Sequence, residues 1–336
     1  MPISYPERIK LARIPTPLMK MPYFSEKYGV DLYIKRDDMT GMEMSGNKVR
    51  KLEFILAEAI SEGADTIVTC GGLQSNHCRT TAAACSKLGL ECILILREQN
   101  ETPFPDGNYL LDHLFGATFR FLTSNEYWEQ VKDDFPEICG QVRSKGKKPY
   151  FMKVGGSSPS GNWGYVKAFE ELKQQLEELN INKASVVAAD GSGGTHTGLV
   201  LGNKFFDEEF EIYGVNIIFD EGHFKQHNAG LFNETAKKYN LSFRADKNTF
   251  QFLDGYVGPG YGISYTECLE TIESVAKNEG IILDPIYTGK AFHAMIREIE
   301  KGKLPTEKPI VFIHTGGLFG VFPMRGIWKD RFPPDK

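Results

Sequence analysis

Short apolar runs rich in valine and isoleucine recur along the chain, and several end in glycine: DLYIKRDD, ADTIVTCGG, ECILILRE, ASVVAADGSGG, FEIYGVNII and KPIVFIHTGG. Their hydrophobicity is continuous rather than alternating, which predicts strands buried on both faces. Between them lie longer stretches whose apolar positions follow helical spacing, at residues 49–62, 125–145 and 166–179. Strand and helix therefore alternate. Because parallel pairing needs a long crossover connection, this order predicts an α/β protein built on mostly parallel sheets covered by helices.

In open sheets of this kind, ligands bind beyond the carboxyl ends of the strands. Three of the turns that follow strands are dense in Gly, Ser, Thr and Asn: CGGLQSNHCR after Cys70, DGSGGTHTGL after Ala189 and HTGGLFG after Ile313. No repeat of fixed period, low-complexity tract or linker stands out, so any two domains are expected to interleave. REQNETPFPDGN, from Arg97 onward, reads as a polar surface loop.

Composition narrows the class. At 336 residues, with 41% hydrophobic and 25% charged residues, the chain has the make-up of a folded globular protein and room for one large core or two smaller ones. A net charge of -5 argues against a nucleic-acid partner, which would need a concentrated positive surface. The opening MPISYPERIKLARIPTPL lacks a signal-peptide core, and no apolar run is long enough to span a bilayer, so a cytoplasmic location away from membranes is expected. The six cysteines are scattered without a C-x-x-C pair and read as reduced, mostly buried thiols. The seven histidines form no metal-binding pattern.

Candidate chemistry lies in the turns. In GSGGTHTG, the backbone amides of Gly193 and Gly194 and the hydroxyls of Ser192, Thr195 and Thr197 can converge on an anion at a helix start; the same composition also serves a tight strand-to-helix turn. Neither a Walker ending nor a dinucleotide fingerprint is present, so the phosphate would belong to a compact cofactor. Ser75 and Asn76, with Gln74 and His77 beside them, can hold a substrate carboxylate or simply cap a helix. Thr315 can contact a heterocycle nitrogen or merely end a buried strand. Tyr261 and Tyr287 can stack, hydrogen-bond or transfer a proton, or only pack. Lys48, in GMEMSGNKVRKLEF with Arg50 and Lys51 close behind, is either the start of a solvated basic helix or a reactive amine. A lysine held uncharged by burial and nearby cations would join pyridoxal phosphate through its aldehyde, and the glycine loop would take the phosphate.

Taken in order, KRDDMTGMEMSGNKVRKLEF, CGGLQSNHCR, DGSGGTHTGL, DPIYTGKA and FIHTGG resemble the fold-type II pyridoxal-phosphate enzymes that include D-cysteine desulfhydrase and 1-aminocyclopropane-1-carboxylate (ACC) deaminase. The likeness runs from PTPL near Pro15 almost to the C-terminus. It implies a tryptophan synthase β-like fold of two three-layer domains, each containing a parallel sheet. The larger, cofactor-binding domain would comprise residues 1–49 and 161–336, the smaller inserted one residues 50–160, and the assembly would be a homodimer. It makes Lys48 the Schiff-base lysine and Asn76 a partner of the cofactor's phenolic oxygen. Ser75 and neighbouring amides would bind the substrate carboxylate, Gly193 to Thr197 the phosphate, and Tyr261 and Tyr287 would line the substrate side.

ACC deaminases carry a glutamate directly after the tyrosine matching Tyr287, and an apolar residue in the last glycine motif. Here those places hold Thr288 and Thr315, as in the desulfhydrases, and the resemblance implies that both contact the cofactor ring as neutral hydroxyls. The resemblance therefore implies β-elimination of D-cysteine to pyruvate, hydrogen sulfide and ammonia. Elimination from L-cysteate, ACC deamination and non-catalytic amino-acid binding are the rivals.

Overall fold

The computed structural model describes residues 4–97 and 103–332; the tract 98–102, within the polar loop expected after β-strand ECILILR, lies outside the described residues. In chain order the elements begin β1 (Leu18–Lys20), α1 (Pro22–Tyr28), β2 (Leu32–Lys35), α2 (Asn47–Ser61), β3 (Thr66–Gly71), α3 (Asn76–Leu88) and β4 (Glu91–Arg97). They continue α4 (Gly107–Leu114), β5 (Thr118–Leu122), α5 (Ser124–Gln130), α6 (Pro136–Ser144), β6 (Pro149–Met152), α7 (Pro159–Glu178), β7 (Ser185–Asp190) and α8 (Gly194–Phe205). The last are β8 (Glu211–Asn216), α9 (Glu221–Lys238), β9 (Gln251–Phe252), α10 (Thr266–Glu279), α11 (Thr288–Glu300), β10 (Ile310–Ile313) and α12 (Arg325–Arg331).

Two sheets result. The larger runs β1-β2-β10-β7-β8-β9 and the smaller β5-β4-β3-β6. Every pairing is parallel except that of the edge strand β1 with β2. All six expected strands are present, and the three glycine-rich turns follow β3, β7 and β10 at their carboxyl ends. Burial on both faces explains their unbroken hydrophobicity. Along β7 and β10, Val187, Ala189, Ile310 and Phe312 join one core with α10 and α11, while Val186, Ala188, Val311 and Ile313 join another with α7 and α8. Residues of β3 and β4 divide in the same way between two further cores. Each sheet is thus the middle of three layers, a fold-type II arrangement.

Three details depart from the pattern reading. The single helix expected over 125–145 is two, α5 and α6: Asp134 and Phe135 adopt left-handed φ values of 56° and 49°, and Pro136 opens the second helix. Helix α7 begins at Pro159 rather than Val166, capped by Ser158, whose hydroxyl accepts from the Gly161 amide. Strands β1, β5, β6 and β9 stand at sheet edges and carry too little apolar periodicity to be read from sequence.

Two glycine positions set the geometry near the later site. Gly46, which precedes α2, has φ 102°, and a Cβ there would stand 2.7 Å from the Thr315 carbonyl oxygen. On α8, a Cβ at Gly198 would lie 2.4 Å from Tyr165 Cβ, so the glycine is what lets α8 approach α7 so closely.

Candidate active site

One cleft collects the carboxyl ends of β3, β7 and β10, and with them all three glycine-rich turns. Lys48, Ser75, Asn76, Gly193, Tyr261 and Thr315 all line it, as do Tyr287, Thr195 and His77. Residues 267 positions apart in sequence are therefore walls of the same cavity, because parallel strands deliver their following loops to one edge.

Lys48 is the second residue of α2. Its amine donates to Asn47 Oδ1 (3.1 Å), and Asn47 Nδ2 donates in turn to Thr195 Oγ1 (2.9 Å), tying the lysine to the start of α8. Burial pushes the Lys48 amine down to about 8; the Arg79 charge acts in the same direction, while Asp190 and Asp284 oppose it. The neighbouring sequence cations have other roles. Arg50 is fully buried in a network with Asp37 and Glu171. Lys51, three residues on and hence on the same helix face, reaches Gly155 O at 3.2 Å, and a Cβ on Gly194 would lie 2.8 Å from its nitrogen.

At the turn before α8, Gly193 N-H donates to Asp190 Oδ1 (2.7 Å) and Gly194 N-H to Ser157 Oγ (3.0 Å). Those two amides already have protein acceptors, so the anion expected there falls to the next N-H groups of the helix start, those of Thr195 and His196. Gly194 and Thr197 lie behind the cleft wall, and Thr197 Oγ1 is buried without a hydrogen-bond partner among the described residues. Beside this positive helix end sits the buried Lys51 amine, held well below its ordinary range by burial and by Lys48. Burial disfavours the charge on that amine only while no anion is near it; a phosphate between it and the helix end would restore the charge and satisfy both, so a phosphate fits here.

Ser75 caps α3, its hydroxyl accepting from the Cys78 amide at 3.2 Å, and the same residue lines the cleft, so the capping and binding readings coexist. Asn76 Oδ1 accepts from Asn108 Nδ2 (3.1 Å), which leaves the Asn76 NH2 as the donor available to a ligand. Gln74 is not a cleft residue: its side chain is bound to the Asn108 amide (2.9 Å) and the Asp106 carbonyl (3.0 Å), anchoring the loop from behind. His77 Nε2 meets Thr69 Oγ1 at 2.8 Å, and that hydroxyl donates to Met152 O. The histidine must therefore donate through Nε2, and burial followed by the Lys48 and Lys51 charges keeps it neutral, well below its ordinary range.

Tyr261 and Tyr287 are hydrogen-bonded through their hydroxyls, and burial raises both phenols. Thr288 does not stand beside them in the cleft. It is fully buried at the first turn of α11, where its hydroxyl donates to Asp284 Oδ1 (2.7 Å) and accepts from the Asp284 amide (2.8 Å). The expected contact of Thr288 with a cofactor ring is thus corrected: the residue closes a capping loop, and Thr315 alone of the pair faces the cavity.

Sequence reasoning gave no binding role to Lys51, Asn47, Asn108, Asp190 or Arg97. The spacing of Lys51 from Lys48 could have revealed the first. The others are brought in by packing between distant segments.

The profile of the family described as pyridoxal-phosphate dependent enzymes matches residues 9–316. A Pyrococcus abyssi protein provisionally named 1-aminocyclopropane-1-carboxylate deaminase is 39% identical over 315 residues, covering 94% of this chain and 93% of its own. A Thermotoga maritima protein with the same provisional name is 41% identical over 315 residues, covering 94% and 97%. The crystal structure of an ACC deaminase homologue matches with a TM-score of 0.87 at 37% identity, over 98% of this chain and 97% of that one. A fungal L-serine ammonia-lyase from Rhizomucor miehei shares the fold, with a TM-score of 0.63 at 15% identity, over 93% of this chain and 98% of its own. An amine and an anion cradle facing one cavity are what such a cofactor requires, and with this agreement along nearly its whole length the chain belongs to the fold-type II pyridoxal-phosphate dependent enzymes, in the family of ACC deaminase and D-cysteine desulfhydrase.

Proposed function

We propose that the chain is a carbon-sulfur lyase that converts D-cysteine to pyruvate, hydrogen sulfide and ammonia. The observation that carries this is the neutral Thr315 hydroxyl at the cleft end of β10. The nearby acid, Asp284, is committed to the amides of Ile286, Tyr287 and Thr288 and to the Thr288 hydroxyl. A ring nitrogen met by a hydroxyl rather than a carboxylate gives weaker support to a pyridinium charge, which suits loss of a good leaving group better than opening of a cyclopropane.

Pyridoxal phosphate, when bound, supplies an aldehyde for amine exchange and an electron sink for the α-carbon. Lys48 would hold it covalently; Lys51, the first turn of α8 and Thr195 would hold its phosphate, and the Asn76 NH2 its phenolic oxygen. The α3 N-terminus at Ser75 orients the substrate carboxylate through its helix-end amides. A neutral Lys48 amine can take the α-proton, and the Tyr261-Tyr287 hydroxyl pair can hold or deliver a proton on the substrate side. The two sheets are proposed as the cores of two domains with the boundaries given above, in a cytoplasmic homodimer.

The names of the Pyrococcus and Thermotoga relatives favour a second reading, ACC deamination. One panel decides: D-cysteine should yield pyruvate and sulfide in equal amounts. Formation of 2-oxobutanoate from ACC as the faster reaction would replace the proposal, and sulfite from L-cysteate as the faster product would make it a sulfo-lyase.

A pH dependence follows from the Lys48 amine. Only its neutral form is nucleophilic, and its value of about 8 means that protonation depletes that form as pH falls below it. Capture of pyridoxal phosphate by apoprotein should therefore quicken about tenfold per unit up to roughly pH 8 and then level off. Stopped-flow absorbance measures this; a rate still climbing at about pH 10 would show an unperturbed lysine.

A further inference from the structure

Arg97 ends β4 on the wall of the cleft that also carries Lys48 and Ser75. Its guanidinium carbon lies 5.7 Å from the ring centre of Tyr127, 5.5 Å from that of Trp128 and 5.4 Å from that of Tyr261. Three aromatic faces fix a cation whose planar fork would otherwise sweep through solvent. One of its terminal nitrogens would stand 3.4 Å from a Cβ on Gly72, in the turn that leads to the Ser75 cap of α3. The guanidinium thus lies between the turn before Ser75 and the Tyr261 ring. Its charge acts on the Tyr261 and Tyr287 phenols, lowering both against the upward push of burial. The acid on the same wall, Asp134, is raised by burial, and the cation that acts on it is Lys153.

With the α-carboxylate assigned to Ser75 and the α3 amides, a further, rigidly held cation on the cleft wall matches a second negative charge on the substrate. We propose that Arg97 is a specificity-determining residue that receives the anionic sulfur group at the substrate's β-carbon, a thiolate or a sulfonate. This rests on reading the cleft as an amino-acid site. In the elimination, the Cα-H bond gives its proton to the base and its electron pair to a new Cα=Cβ bond, while the Cβ-S pair departs with sulfur, as sulfite from a sulfonate or, with a proton delivered by the Tyr261-Tyr287 hydroxyl pair, as hydrosulfide from a thiolate. Arg97 faces the charge that arrives on that sulfur. A fork-shaped donor matches a sulfonate through two parallel hydrogen bonds, which an ammonium cannot reproduce.

The test uses holoenzyme and four probes, the D and L forms of cysteate and of serine, which differ at the β-carbon in bearing a sulfonate or a hydroxyl. Affinity is read from tryptophan fluorescence, since Trp128 adjoins Arg97, and from the cofactor's visible band. The wild-type protein should bind cysteate at least about tenfold tighter than serine of the preferred hand. Arg97→Met keeps an apolar side chain against the rings and should erase that preference while changing serine affinity less than about twofold; Arg97→Lys should retain part of it. Equal weakening of both ligands in Arg97→Met would reduce Arg97 to a clamp between the cleft walls and overturn the proposal, as would the absence of any wild-type preference for cysteate. Failure of the lyase reading shows differently, as wild-type protein that releases neither sulfide, sulfite nor pyruvate while the affinity contrast persists.

Discussion

Replacing Lys48 with alanine is expected to abolish covalent retention of the cofactor and to lower turnover at least about a thousandfold. The expectation rests on position: Lys48 Nζ is the lysine amine that both lines the cleft and is linked through Asn47 to Thr195 at the start of α8. Borohydride reduction followed by intact-protein mass measurement provides the check. Wild-type protein should gain the mass of one reduced cofactor, and Lys48→Ala none. The informative failure would be labelling at Lys51, whose amine is buried beside Gly194. A mass gain in Lys48→Ala that disappears in Lys51→Ala would transfer the covalent role to the second lysine.

Substituting Arg50 with methionine should cost about 3–5 kcal/mol of stability, because it leaves two buried carboxylates to share one cation, Lys35. The guanidinium makes paired hydrogen bonds to Asp37 (3.0 and 2.8 Å) and to Glu171 (3.0 and 2.9 Å), with side-chain exposures of 2%, 1% and 10%. Lys35 joins Glu171, and Tyr165 donates to Asp37 at 2.7 Å. The network ties the segment after β2 to α2 and α7, through a residue two positions beyond Lys48. Urea unfolding should show a midpoint lowered by about 1 M or more. Arg50→Lys should lose part of this, since an ammonium keeps the charge but not the fork.

The pH dependence of that loss has a definite sign. Burial alone would raise the Asp37 and Glu171 carboxyls, but the Arg50 and Lys35 interactions outweigh it and hold both below the ordinary range. A carboxyl with a depressed value stabilises the fold above its unfolded value, and the contribution disappears as pH falls through the folded one. The deficit of Arg50→Met should therefore be complete at neutral pH and shrink below about pH 4. An equal deficit under both conditions would mean that lost packing, not charge, is responsible.

Much of the site was legible because its chemistry is local in sequence. The Gly46-Asn47-Lys48 turn, the Ser75-Asn76 turn and the loop around Gly193 each carry their own signature of small or polar residues after an apolar strand, and parallel topology requires those turns to share an edge. What failed were inferences about direction. Gln74 lies one residue from a cleft wall yet bonds away from it to the α4 start, and Thr288, next to Tyr287, turns inward to Asp284. Adjacent residues in a turn or a first helical turn point to different sides, so proximity in sequence could not assign them. The opposite error hid Arg97, whose strand-end position has no motif and whose setting is made by rings from α5 and from the loop around Tyr261.

By itself the sequence determined the α/β class, the family and the three turns that meet at one cleft, with Lys48 on its wall. Those properties depend on periodicity and on residue types at short spacing, which a linear chain records directly. Only the tertiary structure decided that Lys51 stands with the α8 terminus, that Asn108 orients Asn76, that Arg50 is locked beneath the site and that Thr288 is outside it. Each of those depends on which side chain fills which space between segments far apart in the chain, and that is fixed by packing and charge compensation rather than by local pattern.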